Sequence, residues 1–339
     1  MNPWECSGSS PTRERGHSSS PAGPFSLASG IRFLEGFSPA SYHHAADGIL
    51  RLAFPTDDNT SVVAATVRQE VRADGGTGAV RAEFTVHPGT PHPAKAATAE
   101  AAAEQAVRAQ LARTLSPDVD ATVFPGLAAD PVVAGLMTDH PGLRPVCFHS
   151  PYEAATWAII GNRIRMTQAA AIKAHIAHQH GHRIHIAGRT LHAFPTRAAL
   201  RTVTHVPGLT GIKIQRLHAL AEAALDGTLD ATHLRALPTD HALAELRTLP
   251  GIGPFSAELI LIRGAGHPDV FPRHEPRVHK AVATTYGLGA PTTDDDVTQL
   301  AKTADRWKPY RSWVAFLLRV RAGDTSQPGP VCHGSPPPS

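Results

Sequence analysis

The sequence predicts an α+β protein: a small amino-terminal α+β domain followed by an all-helical domain. Three observations carry this. Leu50, Leu52 and Phe54 alternate with Arg51 and Ala53, and Val80, Ala82, Phe84 and Val86 alternate with Arg81, Glu83, Thr85 and His87. That period belongs to half-buried antiparallel strands. An alanine-rich run from about Pro93 to Leu115 sets Val107, Leu111 and Leu115 four apart, the spacing of a long helix. From about Asp118 onward the apolar spacing is helical throughout.

Taken in order, residues 1–23 are Ser, Pro, Gly and Arg with almost no apolar periodicity and are expected to be a disordered tail. The α+β domain is expected over 24–117, with Asp74-Gly75-Gly76 as a hairpin signal ahead of the second strand. The helical domain is expected over 118–322, and 323–339 as a second disordered tail. Ser150-Pro151-Tyr152-Glu153 reads as a capping box with proline at the first helical position, opening a helix through Ile160. Further helices are predicted over 167–179, 196–204, 212–225, 239–249, 254–265, 277–286, 294–305 and 310–321. Thr196 and Thr293 are the expected N-caps, and Gly227 and Gly287 the expected stops.

Composition narrows the function classes. The chain has 339 residues, enough for two domains at ~150 each. It contains no run of 18 apolar residues, so no membrane span is expected. Met1 to Gly30 lacks a charged segment followed by an apolar core, which argues against a secretory signal. Cys6, Cys147 and Cys332 are far apart and odd in number. They supply neither a disulfide framework nor a four-thiolate zinc or iron–sulfur site, and a reducing cytoplasmic setting is expected. The net charge of +3 permits a nucleic-acid partner without demanding one. His175, His178, His180, His182 and His185 cluster, but Gly181 breaks the helix between them and no Cys or carboxylate completes a zinc spacing. His43-His44 reaches no motif, and Cys147 reads as a small buried residue.

The most informative stretch is Leu246-Arg247-Thr248-Leu249-Pro250-Gly251-Ile252-Gly253-Pro254-Phe255-Ser256-Ala257. A helix ends at about Leu249, a tight turn with two glycines follows, and Pro254 opens the next helix. Gly251 and Gly253 leave backbone N–H groups uncovered at the positive end of that helix, which can hold a phosphate without any side chain. The same pattern also serves as an ordinary interhelical turn.

This stretch resembles the helix–hairpin–helix of DNA glycosylases. Arg263-Gly264-Ala265-Gly266-His267-Pro268-Asp269-Val270-Phe271-Pro272 is similar to the loop that follows the hairpin and leads to the catalytic acid in that superfamily. Trp307-Lys308-Pro309-Tyr310-Arg311-Ser312 resembles a stretch of its alkylation-repair branch, the 3-methyladenine DNA glycosylase II family. Pro141 to Arg144, Phe148 to Gly161, and Gly208 to Leu229 with Lys213 and Asp226-Gly227 run parallel to the same family. The likeness covers roughly residues 25 to 322, and it implies a TATA-binding-protein-like α+β domain at the amino terminus.

The resemblance implies base-excision chemistry on damaged double-stranded DNA by a monomer. The damaged nucleotide is rotated into a pocket, and a carboxylate stabilises positive charge on the sugar as the N-glycosidic bond breaks. In the family that carboxylate is an Asp four residues after the Phe of the Asp-Val-Phe loop; here Glu275 holds the position, followed by Pro276. Glu is one methylene longer, and a misplacement of ~1 Å costs about 10²-fold in rate. Retained, weakened and lost activity therefore all stand open, as does a purely helix-capping role for Glu275. Asp269 is the second choice, although the family pattern makes it a loop-fixing residue. Phe255 stands where bifunctional members carry a Lys nucleophile, which implies a monofunctional enzyme leaving an intact abasic site.

Phe33, Phe255 and Arg319 fall at family pocket positions, Arg319 in place of a Trp. A cationic Arg repels a cationic alkylated base and stacks on a neutral one. Trp307, Tyr310 and Trp313 read as core. Asn162-Arg163 matches the pair that fills the gap left by the flipped base; Arg163 is read as a wedge, a phosphate contact or a solvated loop residue. Thr248, Gly251, Ile252 and Gly253 are the expected phosphate contacts, with a structural monovalent cation on the carbonyls of Leu249 and Ile252. No cofactor, iron–sulfur cluster or zinc is expected. The alternatives to an alkylbase glycosylase are a lesion-binding protein that does not cut and a glycosylase of altered base specificity.

Overall fold

In the computed structural model, residues 15–40, 42, 47–58, 60–70, 77–88 and 97–324 are described. Asp74-Gly75-Gly76, His43-His44, Cys6 and Cys332 lie outside them. The alternating residues of the amino-terminal region form an antiparallel sheet. β1 (Arg15–Ser19), α1 (Leu27–Gly36), β2 (Leu50–Pro55), β3 (Ser61–Gln69), β4 (Val80–Pro88) and α2 (Ala97–Leu115) follow one another, and the strands lie in the order β1-β4-β3-β2. β1 corrects the expected tail: Arg15 to Ser19 pair with Phe84 to Val80. This edge strand is held by backbone pairing, so it needs no apolar period. Leu27, Ile31 and Leu34 of α1 and Val107, Leu111 and Leu115 of α2 cover one face, made by Leu52, Phe54, Val63, Ala65, Val67 and Phe84.

The second domain contains α3 (Pro131–Asp139), α4 (Pro151–Gly161), α5 (Met166–His180), β5 (Arg183–Ile186), β6 (Arg189–His192), α6 (Arg197–Arg201), α7 (Gly211–Leu225), α8 (Ala231–Ala236), α9 (Thr239–Leu246), α10 (Pro254–Leu259), α11 (Pro276–Thr285), α12 (Asp294–Ala304) and α13 (Arg311–Asp324). A wider π turn, Ile260–Gly264, continues α10. The expectation of an all-helical domain is therefore corrected by the β5–β6 hairpin. Its turn, Ala187-Gly188, has φ of 43° and 73°, the positive pair that suits a two-residue hairpin. Ile184 and nearby Ala193 bury Val62 and Ala64 on the second face of the sheet, and Arg51 Nε donates to the Ala187 carbonyl at 3.1 Å. Residues 62–67 of β3 are consequently all buried, and a strand covered on both faces loses its alternation.

The expected caps form. Ser150 Oγ accepts from the Glu153 amide at 3.1 Å, and Thr293 and Asp296 close a full capping box. Glu153 departs from the box: its carboxylate accepts from the His149 amide at 3.2 Å and meets His149 Nδ1 at 2.8 Å and Lys173 Nζ at 2.6 Å. Lys173 also donates to the Pro39 carbonyl at 2.9 Å, so this buried cluster ties α4 and α5 to the amino-terminal domain. His149 stacks on Phe54 at 4.7 Å, and Arg113 clamps Asp57 with two 2.8 Å bonds while donating to the His149 carbonyl. Nearby, Arg144 donates to the carbonyls of Ala22, Pro24, Ser116 and Val119; burial lowers its pKa to about 10. The two domains share a polar seam at these residues, in which Arg113 Nε is buried without a hydrogen-bond partner among the described residues.

Burial alone pushes the Glu153 carboxyl up, but Lys173 and His149 outweigh it and hold it well below the usual carboxylate range. Glu153→Gln leaves Lys173 buried without its countercharge, and the expected loss is about 3–5 kcal/mol, read as a lower urea midpoint. A carboxyl depressed in the folded state stabilises fully above its unfolded pKa, ~4.3, and that stability is lost as pH falls further. Wild type should lose stability more steeply than Glu153→Gln below that pH. Parallel curves would contradict the assignment.

Candidate DNA interface and base pocket

The turn between α9 and α10 is tightened by its own backbone. The amides of Thr248, Leu249 and Ile252 donate to the carbonyls of Glu245, Leu246 and Leu249. Ile252 is buried and anchors the turn in the core. Gly251 has a φ of +85°, where a side chain is strained, and a Cβ there would meet Arg216 Cδ at 2.6 Å. The amides of Gly251 and Gly253 donate to no acceptor among the described residues. Thr248 spends its hydroxyl proton on the Glu245 carbonyl at 2.7 Å.

Gly251, Ile252 and Gly253 share a groove of about 810 Å³ with Asn162, Arg163, Thr210, Lys213 and Arg216. Thr248 lies outside its lining. Five of the six expected DNA contacts are thus brought together, and α7 adds two cations three residues apart on one helix face. Lys213 Nζ donates to the carbonyls of Ile160 and Asn162 at 2.9 and 2.8 Å, satisfying the open end of α4. Burial, and then the charge of Arg216, lowers the Lys213 pKa. Arg163 follows with a φ of +56°, uncommon for a residue with a Cβ. It makes no hydrogen bond or ion pair among the described residues, so its guanidinium is free to face a ligand.

A second cavity, about 100 Å³, opens beside the hairpin where α10, α11 and α13 meet. Phe255, Glu258, Arg263, Glu275, Phe316 and Arg319 are among its walls. Glu275 caps α11, and its Oε1 accepts from the Arg277 amide at 3.2 Å. Phe255 is 43% exposed, at the mouth. Phe33 stands behind the wall, edge-on to Phe316 at 4.9 Å. Asp269 is held away from the cavity by Arg311, with Nε–Oδ1 at 2.7 Å and Nη2–Oδ2 at 3.1 Å. Trp307, Tyr310 and Trp313 are core residues.

Two wall residues carry no sequence signal of their own. Glu258 is buried in α10, and its carboxylate accepts from the amides of Arg273 (3.0 Å) and His274 (2.9 Å) and meets His274 Nδ1 at 2.8 Å. It thereby fixes the loop that delivers Glu275. Arg263 donates to the Val146 carbonyl, and its guanidinium lies 5.3, 4.9 and 5.1 Å from the ring centres of Phe33, Phe37 and Phe316. Burial lowers its pKa to about 10. The histidines assemble no group of three or more metal-ligating side chains among the described residues.

This architecture, a turn with bare glycine amides beside a carboxylate-bearing pocket, defines a helix–hairpin–helix fold. The same fold appears in a 3-methyladenine DNA glycosylase from Archaeoglobus fulgidus, with a TM-score of 0.70 at 20% identity, covering 91% of this chain and 99% of that one. No family model matches the chain. It is 32% identical over 191 residues to DNA-3-methyladenine glycosylase 2 of Escherichia coli, covering 54% of this chain and 62% of the relative. It is 25% identical over 206 residues to DNA-3-methyladenine glycosylase of Bacillus subtilis, covering 59% and 67%. A probable bifunctional transcriptional activator/DNA repair enzyme AlkA of Mycobacterium tuberculosis matches at 28% over 62% of this chain and 41% of the relative. The chain therefore spans two thirds or less of the length of these relatives.

Gly251→Ala and Arg163→Ala are each expected to weaken binding to a duplex with an abasic-site analogue by roughly tenfold or more, the worth of a lost charge-assisted contact. Fluorescence anisotropy measures this, and unchanged affinity in both would remove the groove as the DNA surface.

Proposed function

We propose that this chain is a monofunctional DNA glycosylase that excises alkylated bases of the 3-methyladenine and 7-methylguanine type in base-excision repair. The observation that supports it most is an adjacency: Gly253 of the groove and Phe255 at the mouth of the pocket are two residues apart. A strand held at the one delivers an extruded nucleotide to the other. The groove's bare amides and cations hold the backbone, and Arg163 fills the vacated stack. Glu275 faces the sugar, stabilises its developing positive charge and accepts the proton of the attacking water. No lysine stands at Phe255, so water is the nucleophile and the abasic site stays intact.

Damaged double-stranded DNA is the partner and the protein acts as a monomer, one pocket serving one flipped base. It works in the cytoplasm, at the nucleoid; among the described residues no helix is long and apolar enough to cross a membrane. The four-stranded antiparallel sheet with its two helices is read as a TATA-binding-protein-like domain that sets Phe33 behind the pocket. No cofactor takes part in the reaction. A monovalent cation on the carbonyls of Leu249 and Ile252 would be structural; the Leu249 carbonyl already accepts from the Ile252 amide at 3.1 Å. Arg319 on the pocket wall favours a second reading, the same reaction with altered base specificity.

The test is release of free base from methylated duplex DNA by the purified protein. Glu275→Gln is expected to abolish release, and Glu275→Asp to raise it if the extra methylene misplaces the carboxylate. Turnover unchanged in Glu275→Gln would remove this residue from the mechanism. No release by wild type, with tight binding to an abasic-site duplex, would favour a lesion-binding protein.

A further inference from the structure

We propose that Lys213 is a positioning residue for base flipping: by holding the backbone between α4 and α5, it aims Arg163 into the gap that an extruded nucleotide leaves. The proposal rests on the glycosylase reading above, in which Arg163 fills the vacated stack.

Lys213 stands where a cation is out of place. It is the third residue of α7, and the first turn of a helix disfavours positive charge. No acidic side chain lies in that turn, and Thr210 caps it without a side-chain bond. The end of another helix offsets the charge instead. Nζ donates to the carbonyls of Ile160 at 2.9 Å and Asn162 at 2.8 Å. These lie at the carboxyl-terminal end of α4, where carbonyls lack helical partners and a cation is favoured. The Gly161 carbonyl between them accepts from the Ile164 amide at 3.4 Å. Three successive carbonyls are thereby taken, two of them by one ammonium group.

Those bonds bracket a strained residue. Arg163 follows Asn162 directly with a φ of +56°, a conformation that persists in a residue with a Cβ only where its surroundings impose it. On one side the Asn162 carbonyl is fixed by Lys213. On the other, Ile164 packs against the core of the helical domain. Arg163 itself is exposed, makes no hydrogen bond or ion pair with any described residue, and shares the groove with the hairpin glycines. Its direction is therefore set by the backbone, and that backbone by Lys213. A side chain aimed beforehand need not be ordered as the base leaves, which favours the flipped state. Lys213 commits two of its three donors to this task. Arg216, one turn further along α7 in the same groove, makes no such bonds and is left for a phosphate.

The test is a double-mutant cycle of Lys213→Met and Arg163→Ala in the full chain, with enzyme saturating so that affinity drops out. One readout is single-turnover release of free base from methylated duplex DNA. The other is fluorescence of 2-aminopurine placed beside an abasic-site analogue in a duplex, which rises when insertion breaks its stack. Lys213→Met alone should slow release by about ten to a hundredfold and remove most of the fluorescence rise. In the Arg163→Ala background the same substitution should change neither by more than about twofold, because the residue it acts through is gone. Affinity for undamaged duplex should hold within about twofold. A thermal melt shows that each variant folds, and Lys213→Gln takes the place of Lys213→Met if that variant does not. An equal loss in both backgrounds is what a purely structural role predicts, and it would overturn the proposal. So would a loss confined to affinity, with the salt dependence of binding shallower by about one charge, the mark of a phosphate contact. Base release by wild type without a fluorescence rise would overturn it too and leave the glycosylase reading standing. The predicted fluorescence cycle without base release would end the glycosylase reading and leave the role of Lys213 in place.

Discussion

The carboxylate of Glu258 is the interaction on which the site depends. It sits inside α10, one turn beyond the hairpin, and takes the backbone of Arg273 and His274 in its two oxygens. A buried carboxylate without donors is costly, so α10 and the loop before α11 cannot separate without exposing or stranding that charge. Glu275 is the next residue in the loop and caps α11. The turn that faces the groove and the carboxylate that lines the pocket are therefore parts of one rigid unit. Asp269 with Arg311, and Ser312 with the Val270 backbone at 2.9 and 3.0 Å, fasten the other end of the loop to α13.

Around this unit the molecule uses close approach and polar seams. Gly264 lies against α4 so tightly that a Cβ would come within 2.8 Å of Pro151 Cα. That contact brings α10 beside α4, whose end presents Arg163 to the same groove as the hairpin. The amino-terminal domain closes the back of the pocket through Phe33 and Phe37 of and beside α1, and Arg263 lies between them and Phe316. The seam of Glu153, Lys173, His149 and Arg113 keeps those rings in place. Stability at the domain junction and the shape of the pocket thus share elements.

Much of this was legible in the sequence, and the exceptions have physical causes. The long helices followed from apolar spacing, and Ser150, Thr196 and Thr293 cap where expected. β1 and the β5–β6 hairpin did not announce themselves. Both are short, with polar residues at alternate positions, and they form because the sheet offers an edge and an uncovered face. Glu275, Phe255 and Arg319 meet in one cavity as the resemblance implied, whereas Phe33 reaches it only through Phe316. Glu258 was invisible because its partners lie 15 and 16 residues away, and a lone Glu on a helix carries no mark of burial. Arg216 stood in no motif and Arg263 only at the start of the loop stretch; packing places one in the groove and the other among three rings.

The central claim is that a buried carboxylate in the hairpin helix positions a second one at the sugar. Its most direct test compares wild type with Glu258→Gln in single-turnover base release, with affinity for an abasic-site duplex and thermal stability measured alongside. The account predicts that release falls by about ten to a hundredfold, as for a displacement near 1 Å, while DNA affinity stays within about twofold, because the groove residues are untouched. Release unchanged in Glu258→Gln, or lost only in proportion to DNA affinity or stability, would contradict it.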